Sequence, residues 1–263
     1  MTTAMRNWRG RIGLVSPDDA VNDDEYWLYP PDGVNLFVTR YTTAKSQDDI
    51  GPDMVDAYGD PGAIARAART LAITRPSAAV FACTSCSFVR GRGHDLVQAA
   101  AIAEVCGCPA TTVSTAMVAA LRAFGARKIA MAAPYPDSVT AKFAAFLEQH
   151  GISVARWKGL GMTTEWQIGN SPPWVWAELA RAVDHPEAEA VVISCTGIRM
   201  AEVLSEIEAD LGKPVIAAPQ AMIWHPLQLA RIDSTRADRG LLFARHGAAF
   251  RDRPEDVRVA SPA

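Results

Sequence analysis

Apolar residues occur along this chain in two alternating styles. Short unbroken runs rich in Val, Ile and Ala are followed by longer segments in which apolar positions recur every third or fourth residue. The runs predict strands at residues 11–16, 34–41, 77–81 and 110–113, and again at 128–132, 152–159, 188–193 and 214–217. The periodic segments predict helices over 62–74, 95–106 and 115–124, then over 137–150, 174–183, 200–211 and 221–230. Asp137-Ser138 suits a helix start, and Gly125 and Gly151 stand where a helix should stop.

The elements come in nearly the same order twice. The strand at 128–132 follows the one at 11–16 by 117 residues, and Cys195 follows Cys83 by 112, each cysteine closing an apolar run. Strands alternating with helices imply parallel sheets covered on both faces. The expected fold is therefore α/β: two similar parallel-sheet domains related by pseudo-two-fold symmetry, with the active site in the cleft between them. The expected boundaries are a first domain over 1–120, completed by the C-terminal segment 221–263, and a second over 121–220. Ligands of such sheets bind beyond the carboxyl ends of the strands, which is where both cysteines fall.

Composition narrows the function classes. With 49% hydrophobic and 21% charged residues and a net charge of −3, the chain has a globular composition and no basic footprint for nucleic acid. No apolar run reaches the length of a membrane span, and the first residues lack the apolar segment of a secretory signal. The expected location is the cytoplasm, where five cysteines read as thiols, ligands or catalysts rather than as a disulfide framework. A homo-oligomer is compatible with these features.

The candidate chemistry centres on Phe81-Ala82-Cys83-Thr84-Ser85 and Ile193-Ser194-Cys195-Thr196-Gly197. A single cysteine at the end of a buried strand is often a packing residue. Two at matching places, each followed by hydroxyl or glycine residues, suggest thiols facing each other across a cleft, with hydroxyls and backbone N–H groups to hold a carboxylate or a developing enolate. Rival readings attach to the same cysteines. Cys83-x-x-Cys86 has redox spacing, although Phe88-Val89-Arg90-Gly91 reads as a turn rather than the helix such a site needs. Cys106-Gly107-Cys108 would complete a zinc site only with a half too tight for the usual knuckle.

Weaker candidates are His225 beside Trp224, Arg90 and Arg92 as carboxylate anchors, and the Gly91-Arg92-Gly93-His94 loop as a phosphate cradle. Tyr135, ending a strand between two prolines, could present its hydroxyl to the cleft. The acidic, aromatic loop 18–31 should hang over the same cleft, and the loop 161–173, with Thr163, Thr164, Trp166 and Asn170, reads as a lid.

At Cys83-Thr84-Ser85-Cys86-Ser87-Phe88-Val89-Arg90-Gly91, Thr111-Thr112-Val113-Ser114-Thr115-Ala116 and Ser194-Cys195-Thr196-Gly197, the chain resembles the aspartate/glutamate racemase superfamily, nearest to arylmalonate decarboxylase and maleate cis-trans isomerase. The resemblance extends over most of the chain, from Ile12 to about Ala230. It implies two α/β domains with a site between them, and the two-cysteine chemistry expected from the residues needs no metal and no organic cofactor. It implies that Thr84, Ser85 and Tyr135, with backbone N–H groups around Thr196 and Gly197, bind a substrate carboxylate. Cys195 matches the decarboxylase's single proton-donating cysteine, and Cys83 matches the first cysteine of racemases and the maleate isomerase, where the decarboxylase has glycine.

In the loop after the first strand the maleate isomerase pattern has an asparagine, and this chain has Ser16-Pro17-Asp18-Asp19. Asp19 is a substrate-facing candidate, and a simple dicarboxylate would meet like charge there unless Asp19 points away or faces an amine. Tyr26, Trp27 and Trp224 would suit a larger or aromatic substrate. The expected function is a cofactor-independent isomerase, either cis-trans isomerase or racemase, acting on a small carboxylic acid through opposed Cys83 and Cys195. The alternatives are a decarboxylase with Cys195 as proton donor, and a non-catalytic protein that binds small carboxylates.

Overall fold

The computed structural model describes residues 7–44 and 50–248. The first of its two parallel sheets contains β1 (Gly10–Pro17), β2 (Val34–Tyr41), β3 (Ala78–Phe81) and β4 (Ala110–Thr112), in the order β2-β1-β3-β4. The second contains β5 (Lys128–Ala133), β6 (Ser153–Gly159), β7 (Ala190–Ile193) and β8 (Val215–Ala217), in the order β6-β5-β7-β8.

The two orders are the same, and so are the registers. Ile12 pairs with Ala78 as Ile129 pairs with Ala190. The Ala82 amide donates to the Val15 carbonyl at 2.8 Å, and the Ser194 amide donates to that of Ala132 at 2.9 Å. The repeated spacing in the sequence is thus a repeated topology. Each predicted strand is present, with its ends moved by no more than two residues.

Burial explains why these runs become strands. β3 and β7 have neighbours on both sides and helices on both faces, so every residue in them is buried. The edge strand β6 instead turns Arg156, Trp157 and Lys158 outward, and its two charges discourage pairing with another chain.

The longer helices are α3 (Pro61–Ala72), α5 (His94–Cys106), α6 (Val113–Ala123), α7 (Asp137–Gln149), α9 (Pro173–Val183), α10 (Leu204–Leu211) and α11 (Ala218–Leu229). They occupy the predicted places, except that α10 begins four residues later than expected, because residues 196–203 form a loop after Cys195. Five short helices were not predicted: α1 (Asp23–Tyr26), α2 (Pro52–Tyr58), α4 (Thr84–Phe88), α8 (Glu165–Gly169) and α12 (Gly240–His246). None is long enough to display a 3.6-residue period.

The helices after the last strand of each sheet, α6 and α11, pack against each other. α11 also covers β3 and β4 of the first sheet, while α6 reaches β8 of the second. This buried pair ties the halves together and brings the carboxyl ends of β3 and β7 to one cleft. Among the described residues, no helix is long and apolar enough to cross a membrane.

Candidate functional site

The cleft, about 360 Å³ including its open mouth, is lined by Cys83, Ser85 and Cys86 from the β3–α4 turn and by Thr196 and Gly197 from the loop after β7. Asp19, Tyr26, Tyr58 and Glu165 complete its polar lining. The Thr196 hydroxyl donates to the Ala82 carbonyl at 3.4 Å, joining the two strand ends directly. Of the residues singled out from sequence, Cys83, Ser85, Thr196, Gly197 and Asp19 face this cleft, while Thr84, Tyr135 and Cys195 are buried in its wall.

The two cysteines are topologically equivalent but conformationally different. Cys83 has φ −135° and ψ 119°, an ordinary extended residue preceding α4. Cys195 has φ +86°, a conformation that costs a non-glycine residue on the order of 1–3 kcal/mol and persists only where the surroundings enforce it. Its sulfur accepts a hydrogen bond from the Gly197 amide at 3.3 Å and another from the Tyr135 hydroxyl. Burial pushes the Cys195 thiol well above its ordinary range and the nearby Glu165 carboxylate adds to this, against the opposing pull of those two donors. Cys195 therefore rests as a thiol at neutral pH. Burial likewise holds the Tyr135 phenol protonated, with the Cys195 sulfur as the next contributor.

Gly197 packs closely against its neighbours. A Cβ there would lie 2.9 Å from Glu165 Oε2 and 3.4 Å from Cys195 Sγ, so its bareness is what lets α8 close over the second sulfur.

On the other wall, Cys83 Sγ lies 2.7 Å from Cys86 Sγ and 3.6 Å from Ser85 Oγ. Thr84–Phe88 form the short helix α4, and the turn expected at 88–91 follows it, closed by the Gly91 amide donating to the Phe88 carbonyl at 2.8 Å. A buried hydroxyl pair fixes α4: Ser87 Oγ and Ser114 Oγ are 2.6 Å apart, and both donate to the Thr84 carbonyl, locking the segment to the start of α6. Gln98 of α5 adds a bond to the Cys86 carbonyl at 2.9 Å.

The segment after β1 closes the cleft, as its composition suggested. Asn22, fully buried, donates through its side-chain amide to the carbonyls of Thr196 at 3.0 Å and Ile198 at 3.3 Å. Glu25 Oε1 accepts the amides of Met200 at 2.8 Å and Ala201 at 2.7 Å. Both were missed in the sequence, where Asn22 and Glu25 look like polar members of a solvated loop. The lid segment contributes Glu165, whose place in the first turn of α8 follows from its Thr164 cap. Trp166 is largely exposed, and Asn170 bonds the Trp166 carbonyl.

Several expectations are corrected. Arg90 pairs with Asp56 at 2.6 Å, and Arg92 bonds the Gln149 carbonyl, both on the outer surface where no carboxylate anchor or phosphate cradle forms at the cleft. Trp224 is buried and donates to the His246 carbonyl at 2.7 Å, and Trp27 is half exposed; of the three aromatics only Tyr26 lines the cleft. Cys106 and Cys108 lie at the amino end of β4, opposite the end of the sheet where Cys83 sits, so the two cysteine pairs cannot share one metal.

His225 lies in α11, away from the cleft lining, with Nδ1 2.9 Å from Thr111 Oγ1. Burial pushes its imidazole down to about 4 from an ordinary 6.5. The unfolded chain then binds a proton that the folded one refuses, so this contribution to stability is complete above pH 6.5 and is lost as pH falls toward 4. The loss is about 3 kcal/mol. His225→Gln should flatten that part of the stability–pH curve in chemical denaturation, and an unchanged slope would show that His225 is not the group responsible.

Fold and cleft together define a protein of two equivalent parallel α/β units with cysteine sulfurs at matching strand ends. The chain belongs to the arylmalonate decarboxylase family, whose sequence pattern matches residues 13–243. It is 29% identical over 223 residues to the arylmalonate decarboxylase of Bordetella bronchiseptica, a match covering 83% of this chain and 90% of that protein. It is also 29% identical over 219 residues to the maleate isomerase of Nocardia farcinica, covering 80% and 86% respectively. A liganded double variant of arylmalonate decarboxylase superposes with a TM-score of 0.79 at 27% identity, over 89% of this chain and 99% of that one.

Proposed function

We propose that this protein is an isomerase, a racemase or cis-trans isomerase, that acts on a small carboxylic acid through Cys83 and Cys195. The observation that supports this most is the pair of sulfurs on opposite units at one cleft, one cleft-facing and the other a buried thiol held protonated. The substrate carboxylate is received by Ser85, by the backbone around Thr196 and Gly197, and by Thr84, whose buried hydroxyl oxygen has no hydrogen-bond partner among the described residues. Tyr135 serves this site through Cys195.

In racemisation one sulfur, as thiolate, takes the α-proton, the electron pair moves into the carboxylate as an enediolate, and the opposite thiol returns a proton to the other face. In cis-trans isomerisation the thiolate adds to one alkene carbon and the π electrons move toward the carboxylate. The C–C bond then rotates, and expulsion of the thiolate restores the double bond. Asp19 and Glu165 add two carboxyl groups to the lining of the cleft.

A second reading, decarboxylation of a malonate, is favoured by the family membership and by the protonated Cys195, a ready donor to an enediolate. Incubation in deuterated water with maleate, amino acids, hydroxy acids and arylmalonates, followed by NMR, separates the two. Isomerised alkene or stereoinverted, deuterated acid without carbon dioxide is the expected result. Release of carbon dioxide would replace the first reading with the second.

A further inference from the structure

We infer that Cys83 and Cys86 are a modification site: hydrogen peroxide closes them into a reversible disulfide, with Cys86 as the resolving thiol. The disulfide stands on the geometry of the β3–α4 turn; its effect on turnover rests on the two-cysteine reading above.

Cys86 is a buried nucleophile that the chemistry at Cys83 and Cys195 leaves without a task. Its sulfur lies 2.7 Å from that of Cys83, about 0.7 Å beyond the length of an S–S bond. Cys83 is the residue before α4 and Cys86 falls in the first turn, which is the C-x-x-C placement of dithiol redox centres. The sequence carries the spacing, and α4 supplies the helix start that it needs.

The neighbours keep the two sulfurs within reach of each other. Gln98 donates its side-chain amide to the carbonyls of Cys86 and Gly59, both at 2.9 Å. Ser87 and Ser114 both donate to the Thr84 carbonyl, so the turn between the cysteines is fixed from two sides. Ser85 Oγ stands 3.6 Å from the Cys83 sulfur and 3.9 Å from that of Cys86, so both thiols gather around one hydroxyl. Accessibility differs in the way such a site requires. Cys83 is half-buried at the cleft, and Cys86 is 1% exposed. A small oxidant entering the cleft therefore meets Cys83 first.

The Cys83 sulfur attacks one peroxide oxygen. An S–O bond forms, the O–O bond breaks, and the departing hydroxide leaves as water with the thiol proton. The Cys86 sulfur then attacks the sulfur of this sulfenic acid. An S–S bond forms, the S–O bond breaks, and a second water carries away the Cys86 proton. Two thiols are oxidised by two electrons and one peroxide is reduced to two waters. The new bond takes Cys83 out of the catalytic pair. It also stops that sulfur short of sulfinic acid, which thiol reductants do not reverse, whereas exchange with a thiol reopens the disulfide.

The test treats the reduced full chain with hydrogen peroxide, denatures it in N-ethylmaleimide and reads the cysteine peptides by mass spectrometry. Cys83 and Cys86 share one tryptic peptide. In wild type that peptide should lose two hydrogens and take up no maleimide, and a thiol reductant should restore both thiols. In Cys86→Ser and Cys86→Ala, Cys83 has no resolving partner and should form at least about tenfold more sulfinic acid than wild type at the same dose. On whichever panel substrate turns over, wild type should lose activity in proportion to the disulfide and regain it with the reductant. Wild type in which Cys83 gains oxygen while Cys86 takes up maleimide would overturn the inference. So would a Cys83–Cys195 cross-link in its place, or maleimide on both thiols at every dose. The masses are read without substrate, so a missing disulfide and a failed isomerase reading are told apart.

Discussion

Replacing Cys195 by serine removes turnover, with kcat expected to fall by about 10²–10⁴-fold while the fold survives. An oxygen can keep the bonds that the sulfur now receives from Tyr135 and the Gly197 amide, so the thermal transition should barely move. A hydroxyl in so buried a place, with Glu165 beside it, does not release a proton on the timescale of catalysis. The companion variant Cys83→Ser decides between the two reactions. Two-sided chemistry needs both sulfurs, so Cys83→Ser should lose activity to a similar extent on whichever panel substrate turns over. Decarboxylation with a single proton donor needs Cys195 alone, and a Cys83→Ser protein of full activity would leave only that reading. Steady-state rates on the active substrate, with circular dichroism as the control for folding, give the answer.

The sequence and the structure agree most where burial is two-sided. The runs that became β1, β3, β5 and β7 are apolar because both faces of a central strand are covered, so composition alone reveals them. The cysteines at the ends of β3 and β7 were legible for the same reason. Their difference was not, because the positive φ of Cys195 follows from how residues 196–201 are held by a distant part of the chain. Glu165 was hidden in a similar way, and Cys86 was visible only as redox spacing with Cys83. Each acquires meaning only when a short helix, α8 or α4, is fixed by contacts from other elements: Gly197 beneath one, Gln98 and Ser114 beside the other. Local pattern reports which residues are buried in regular elements; it does not report which loops those elements press together.

Glu25→Ala should destabilise the protein by about 3–5 kcal/mol, the largest effect expected outside the cysteines. One carboxylate oxygen, Oε1, accepts three bonds: the Met200 amide at 2.8 Å, the Ala201 amide at 2.7 Å and the Tyr29 hydroxyl at 2.8 Å. Burial pushes this carboxyl up, and those donors work against the push. Alanine would strand all three donors in the interior, where each lost partner costs about 1–3 kcal/mol. Glu25→Gln supplies a carbonyl oxygen in the same place and should cost roughly 1–2 kcal/mol. The consequence reaches catalysis because the Met200 and Ala201 amides lie on the loop that begins at Cys195. The same loop is gripped by Asn22 at Thr196 and Ile198, and by Arg199, which bonds both Asp24 and the Gly169 carbonyl. With Glu25 gone, Cys195 is no longer forced into its positive-φ conformation, and kcat should fall in Glu25→Ala while Glu25→Gln retains most of it. Urea denaturation and steady-state kinetics on the two variants read the two effects separately. Equal stability of Glu25→Ala and wild type would show that the clamp on the second cysteine lies elsewhere.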